Sequence, residues 1–151
     1  MKIFVAAPFS DKIDPKTGTT TPDFTNKLKL LLDELRSKRH NVICAHEREQ
    51  WGLNLDTPDE ALDLDFKGIE NSDCLVALLG NPPSPGVQME LGAAIILRKP
   101  IICLIKKDSI VPYLVMGIHR LTKIKYIEYE TIKQATQDLI NVLSDFEKDK
   151  I

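Results

Sequence analysis

The feature that most narrows the fold is a regular alternation of short apolar runs with longer stretches of helical period. Apolar runs fall at residues 2–7, 41–44, 74–79, 101–105 and 124–127, and stretches of helical period at 23–38, 58–71, 87–97, 110–118 and 131–147. A parallel strand pair needs a long crossover, usually a helix, so repeated strand-then-helix units predict a parallel sheet with helices on both faces. No linker, repeat or low-complexity tract divides residues 1–151, and a chain of this length buries about 70% of its unfolded surface, enough for one full core. The expectation is a single α/β domain: a three-layer, Rossmann-like sandwich around a five-stranded parallel sheet in the flavodoxin order 2-1-3-4-5. In such a sheet the winding reverses between strands 1 and 3, and ligands bind in the crevice at their carboxyl ends. Chemistry is therefore expected around Pro8-Phe9-Ser10 and around residues 80–86. The polar stretch 11–22 is long for a βα loop, and is either a lid over that crevice or a surface excursion.

Composition removes several classes of function. Hydrophobic residues make up 43% and charged residues 28%, and no apolar run approaches 18 residues, so a membrane-embedded chain is excluded. Twenty basic against twenty-two acidic side chains give a net charge of −2, too little positive field to hold a nucleic acid polymer or an anionic membrane. The apolar start at Met1 ends at Pro8, too soon for a signal peptide, and a cytoplasmic address is expected. Cys44, Cys74 and Cys103 lie in apolar segments without a metal-ligand partner at the right spacing, which reads as small core residues. His40, His46 and His119 form no ligand pattern either. Neither a metal nor a cofactor is expected.

Two carboxylates break the apolar pattern. Thr57-Pro58-Asp59-Glu60 is a capping box with proline at the first helical position, so the register of the helix that follows can be read. Leu62, Phe66 and Ile69 form its expected buried stripe, and Asp65 falls on the same stripe, as a catalytic group or as a capping or salt-bridging residue. Residues 87–97 are apolar nearly all round, which predicts burial on most faces, and Glu90 is the charge among them. Gly92, Ala93 and Ala94 are too small to cover it. Upstream, Ser84-Pro85-Gly86 reads as an N-cap and first turn, a start that presents N–H donors to a phosphate. A pair of carboxyl groups in one crevice suits glycosidic bond cleavage, one ionised to attack and one protonated to assist departure. From the sequence, Glu90 near a helix N-terminus is the expected anion, and Asp65 among apolar neighbours the expected acid.

These residues resemble the nucleoside 2-deoxyribosyltransferase-like superfamily, whose members cleave or transfer at N-glycosidic bonds. The resemblance rests on Ile3-Phe4-Val5-Ala6-Ala7-Pro8-Phe9, on Asp65 eight residues before Asp73, and on Ser84-Pro85-Gly86 leading to Glu90-Leu91-Gly92. Asp14-Pro15-Lys16-Thr17-Gly18 and Ala45-His46-Glu47-Arg48-Glu49-Gln50-Trp51-Gly52 bring the chain nearest to the cytidine 5′-monophosphate N-glycosidases of nucleoside-antibiotic pathways. The resemblance implies Glu90 as nucleophile, Asp65 in acid and base steps, Ser84 and Gly86 on a phosphate, and Phe9 and Ser10 against base or phosphate. An Arg in the place of Ser10 goes with hydroxymethylated cytosine, so Ser10 leans toward unmodified cytosine. The family's Gly-Gly before Pro-Phe is Ala6-Ala7 here.

Further residues have two readings each. His46, Arg48 and Trp51 supply a pocket wall, or Trp51 is a lid on the core; Asp63 meets a ribose hydroxyl or lies in solvent. The apolar segment 110–118 calls for a cover, and a symmetric dimer would supply one. The resemblance adds that Met116 or His119 would reach the neighbouring subunit's pocket, giving a homodimer with a shared active site. The expected substrate is a small nucleotide, hydrolysed at its N-glycosidic bond. Deoxyribosyl transfer between bases and a non-catalytic nucleotide sensor are the alternatives.

Overall fold

The computed structural model describes residues 1–148. Its sheet runs β2-β1-β3-β4-β5 with every neighbouring pair parallel, as the sequence predicts. The strands are β1 (Lys2–Ala6), β2 (Asn41–Ile43), β3 (Cys74–Leu78), β4 (Ile101–Lys106) and β5 (Ile124–Tyr129). The α-helices are α1 (Pro22–Ser37), α2 (Ala45–Arg48), α3 (Pro58–Glu70), α4 (Pro85–Ile96) and α5 (Ile132–Lys148). Three 3-10 segments lie at Ser10–Lys12, Gln50–Gly52 and Tyr113–Arg120, the last where the sequence predicts a short helix. The single turn of α2 follows β2 with no break and was not expected.

Side chains alternate across a strand, so β1 feeds two cores. Ile3 and Val5 pack with Leu28, Leu32, Leu139 and Leu143 of α1 and α5, whereas Phe4 and Ala6 pack with Ile69, Leu91 and Ala94 of α3 and α4. Both faces are covered, which is why β3 reads as an unbroken apolar run, every residue of it buried. Cys44, Cys74 and Cys103 are free thiols in these cores, and burial pushes Cys44 and Cys103 up to about 12. Gly68 lets α3 approach the sheet, since a Cβ there would stand 2.8 Å from the Phe4 ring.

Two expectations of burial need correction. Leu62 and Phe66 are 57% and 42% exposed, so of the expected α3 stripe only Ile69 is buried. In α4, Val87, Leu91 and Ala94 are buried but Met89 and Ile96 are exposed, so this helix is not covered on most faces. The physical reason is that α3 and α4 meet the sheet along one edge each. Their remaining apolar side chains turn toward one another and line a groove of about 420 Å³ that includes Leu62, Phe66, Met89 and Ala93.

The stretch 11–22 is ordered. An antiparallel bridge joins Ile13 and Thr20, the N–H of Asp14 donates to the carbonyl of Thr19, and the N–H of Thr20 donates to the carbonyl of Trp51. Among the described residues no helix is long and apolar enough to cross a membrane.

Candidate active site

At the carboxyl ends of β1 and β3, where the order of winding reverses, the backbone opens a cavity of about 360 Å³. The two strand-end loops touch beside it: Gly80 has φ +82°, and a Cβ there would lie 2.7 Å from the Pro8 ring. The position follows from topology, because neighbouring loops leave in opposite directions at this point. One wall is Phe9, Ser10 and Asp11; another is Ala45, His46 and Glu49; α3 contributes Asp65; the fourth carries Ser84, Gly86 and Glu90.

Each wall is set by local rules. Thr57 caps α3 as expected, its hydroxyl accepting from the N–H of Glu60 while the Glu60 carboxylate accepts from the N–H of Thr57. This fixes the register that turns Asp65 inward. Ser84 caps α4, accepting from the N–H of Val87 at 3.4 Å, with Pro85 at the first position. Glu90 then sits one and a half turns into the helix, half-buried on the cavity.

Arg48 organises the acidic side of the site. Its Nε donates to Asp56 at 2.6 Å and its Nη1 to Asp65 at 2.9 Å, while Nη2 is buried without a partner. Asp65 is thus salt-bridged as well as facing the cavity. Burial raises the Asp65 carboxyl above its ordinary range and the hydrogen bond and charge of Arg48 oppose the rise. Glu90 is pushed well above its ordinary range, first by burial and then by the charge of Asp65, with Arg48 opposing. Both carboxyl groups are therefore raised, Glu90 the more strongly, whereas the sequence reading expected the upward push on Asp65 alone. Arg48 lies seventeen residues before Asp65, and that pairing has no signature in the helical register.

His46 is buried, and its Nε2 donates to the carbonyl of Pro8 at 2.9 Å, which ties α2 to the loop after β1. Burial lowers its pKa, so it is a neutral, apolar wall, with the Phe9 ring 4.9 Å away. Trp51 stands behind it, 6.1 Å from the imidazole, under Lys29 and packed on the α1 core; it does not line the cavity. Asp63 is exposed and paired with Lys67 at 2.6 Å, away from the site. Met116 and His119 lie outside this chain's cavity, and His119 is exposed with Nδ1 3.0 Å from the Met116 carbonyl. Phe9, Ser10, His46, Asp65, Ser84, Gly86 and Glu90 are brought together around this one cavity. Asp11, Glu49 and Asp56 were missed; Glu49 had a signal, an acid between the polar turn of α2 and the 3-10 turn that follows, but no rule of register applies to so short a helix. Among the described residues no group of His, Cys, Asp and Glu is arranged to hold a metal ion.

Two carboxyl groups meet at a switch-point cavity on a Rossmann-like sandwich, one salt-bridged and the other raised by burial, an arrangement that suits glycosidic chemistry. No family model and no curated protein matches the sequence. Among solved structures, the CMP N-glycosidase BcmB of Clostridium botulinum superposes with a TM-score of 0.71 at 27% identity, over 92% of this chain and 98% of that one. BlsM superposes with a TM-score of 0.79 at 30% identity, over 90% of this chain and 85% of that one. A 2-deoxyribosyltransferase from Bacillus psychrosaccharolyticus shares the fold at 20% identity, with a TM-score of 0.61 over 90% of each chain. The chain belongs to the nucleoside 2-deoxyribosyltransferase-like superfamily, on the branch of the CMP N-glycosidases. It is a glycosyl-handling enzyme, as the N-glycosidase relative is.

Proposed function

We propose that the protein hydrolyses the N-glycosidic bond of a pyrimidine nucleoside 5′-monophosphate, CMP foremost, to free base and sugar 5-phosphate. The observation that carries this reading is the placement of Glu90, Arg48-held Asp65 and the capped start of α4 around one cavity. The C. botulinum relative supports the choice of CMP. The reacting form is the one in which Glu90 has given its proton to solvent: its carboxylate oxygen attacks C1′ as the C1′–N1 bond breaks, forming a glycosyl ester and releasing the base, and water then attacks C1′ and releases Glu90. Asp65, kept in place by Arg48, aligns that water. Ser84 and the first N–H groups of α4 hold the phosphate, a task that suits a helix N-terminus. Phe9 and His46 provide flat walls for the base. The reaction as drawn uses no cofactor.

A second reading, deoxyribosyl transfer, is favoured by one feature. The groove between α3 and α4 shares Asp65, Gly86 and Glu90 with the main cavity, which leaves apolar room for a second base. That groove, with exposed Tyr113, Leu114 and Met116, also supports a homodimer in which Met116 or His119 reaches the partner's site. The reduced, buried cysteines support a cytoplasmic address.

The test is to incubate the purified protein with a panel of ribo- and deoxyribonucleoside monophosphates and to read free base by chromatography. Release by the wild type and none by Glu90→Ala is the expected result. Release by both removes Glu90 as nucleophile, and release by neither removes the substrate class. Adding an acceptor base separates hydrolysis from transfer.

A further inference from the structure

Cleaving a C–N bond to a base requires a proton as well as a nucleophile, because a pyrimidine anion is a poor leaving group. Burial raises Asp65 on balance, but its carboxyl is engaged by the Arg48 guanidinium at 2.9 Å, and a proton on that group would be held against the ion pair. Glu90 cannot supply it and attack at once. The cavity contains another candidate, one the sequence reading did not single out.

Glu49 closes the turn of α2 and is only 9% exposed, yet its side chain lines the same cavity as Asp65, Glu90 and Phe9. Its side chain accepts one hydrogen bond, a long one of 3.4 Å from the N–H of Asp56. The groups that act on it are the carboxylates of Asp56 and Asp65 and the guanidinium of Arg48, whose Nε and Nη1 are already engaged by those two aspartates. His46 on its own helix is neutral and bonded to Pro8; Asp11 and Glu90 line the cavity opposite. Burial, the nearest carboxylate and the distant one all push the Glu49 carboxyl upward, with the Asp56 N–H and Arg48 opposing. A buried carboxyl group without a cation of its own is kept for what enters the cavity.

We propose, resting on the glycosidase reading above, that Glu49 is the acid of the first step and the reader of the base: its carboxyl group pairs with a nucleobase edge that has a ring nitrogen beside an exocyclic amine. The carboxyl O–H faces the ring nitrogen N3, and the carboxyl C=O accepts from the amine. As the Glu90 oxygen bonds to C1′, the C1′–N1 electron pair moves into the ring and N3 takes the Glu49 proton, so the base departs neutral. Water then attacks C1′ of the ester, Glu90 leaves as carboxylate, and the proton of that water restores Glu49 once the base is gone. One water is consumed and no other reagent is needed. Cytosine presents that edge, its N3 and amine being adjacent; adenine presents it with N1 and its amine, and the pyrimidine reading above selects cytosine.

The experiment compares wild type, Glu49→Gln, Glu49→Ala and Glu90→Ala on CMP and on 4-nitrophenyl riboside 5′-phosphate, whose phenolate departs without protonation. Glutamine keeps both hydrogen-bonding roles toward cytosine but has no proton to give. Expected for Glu49→Gln is a fall in kcat on CMP of about 10²- to 10⁴-fold with KM little changed, and near-wild-type turnover of the nitrophenyl substrate. Glu49→Ala should raise KM for CMP as well, and Glu90→Ala should lose both substrates. Equal losses of Glu49→Gln on the two substrates, or CMP turnover within about threefold of wild type, overturn the proposal. If the wild type cleaves the nitrophenyl substrate and not CMP, the base assignment falls and Glu49 with it; if it cleaves neither, the glycosidase reading itself has failed.

Discussion

On one side of the sheet, α1 and α5 bury Leu28, Leu31, Leu32, Leu35, Leu139, Leu143 and Phe146 against the strands. On the other side, α3 buries Ile69 and α4 buries Val87, Leu91 and Ala94, while Leu62, Phe66, Met89 and Ile96 remain exposed. Both layers are amphipathic helices on one parallel sheet. They differ in where carboxylates were admitted. The first layer has apolar packing throughout its core. The open layer holds Asp65 and Glu90 at cavities, at the cost of raising both carboxyl groups above their ordinary range. The first side is a packed core and the second carries the candidate site.

The comparison can be broken in several ways. Leu139→Ala, on the first side, should destabilise the fold by about 2–5 kcal/mol in urea titration, as for large-to-small core substitutions, with kcat at low temperature unchanged. A small effect would mean that the two layers do not differ. Arg48→Met should lower stability by about 1–3 kcal/mol at neutral pH, because Asp56 and Asp65 lose their charged partner in a half-buried place. Its pH–rate profile should shift to higher pH, since the opposition to the rise of Asp65 and Glu90 is removed; an unchanged profile would detach Arg48 from the chemistry.

A finer prediction concerns pH. The folded state holds the Glu90 proton more tightly than the unfolded state does, so its contribution to stability is full below about 4.5 and is lost as pH rises through the higher folded value. Glu90→Gln should therefore leave stability unchanged in acid and raise Tm relative to wild type at neutral pH, with the gain levelling off once wild-type Glu90 is ionised. A Tm difference independent of pH would mean that the carboxyl is not desolvated. The smallest effect is expected for Leu62→Ser, an exposed residue, which should change monomer stability by no more than about 0.5 kcal/mol. The same change should weaken self-association in sedimentation if the open groove faces a second copy.

Helix starts and strand order were legible because they depend on local chemistry. The capping box at Thr57, the proline at 85 and the apolar runs each act over a few residues, and right-handed crossovers then leave few topologies. Asp65 and Glu90 could be placed on one crevice for the same reason. The single turn at 45–48 has no period to read, so Glu49 was passed over although it is among the most buried acids of the described chain. Exposure of Leu62 and Phe66 was misjudged because apolar character sets which face of a helix avoids water, not whether another element is present to cover it.

The amino-acid sequence by itself determined the parallel sheet, its order, the crevice at the ends of β1 and β3, and the two acids that face it, because periodicity and capping mark each element and crossover handedness leaves few ways to join them. Which acid is raised the more was decided only by tertiary structure. That choice depends on burial and on the reach of Arg48 from α2 to α3, and a carboxyl group responds to every charge within a few ångströms, whatever its distance along the chain.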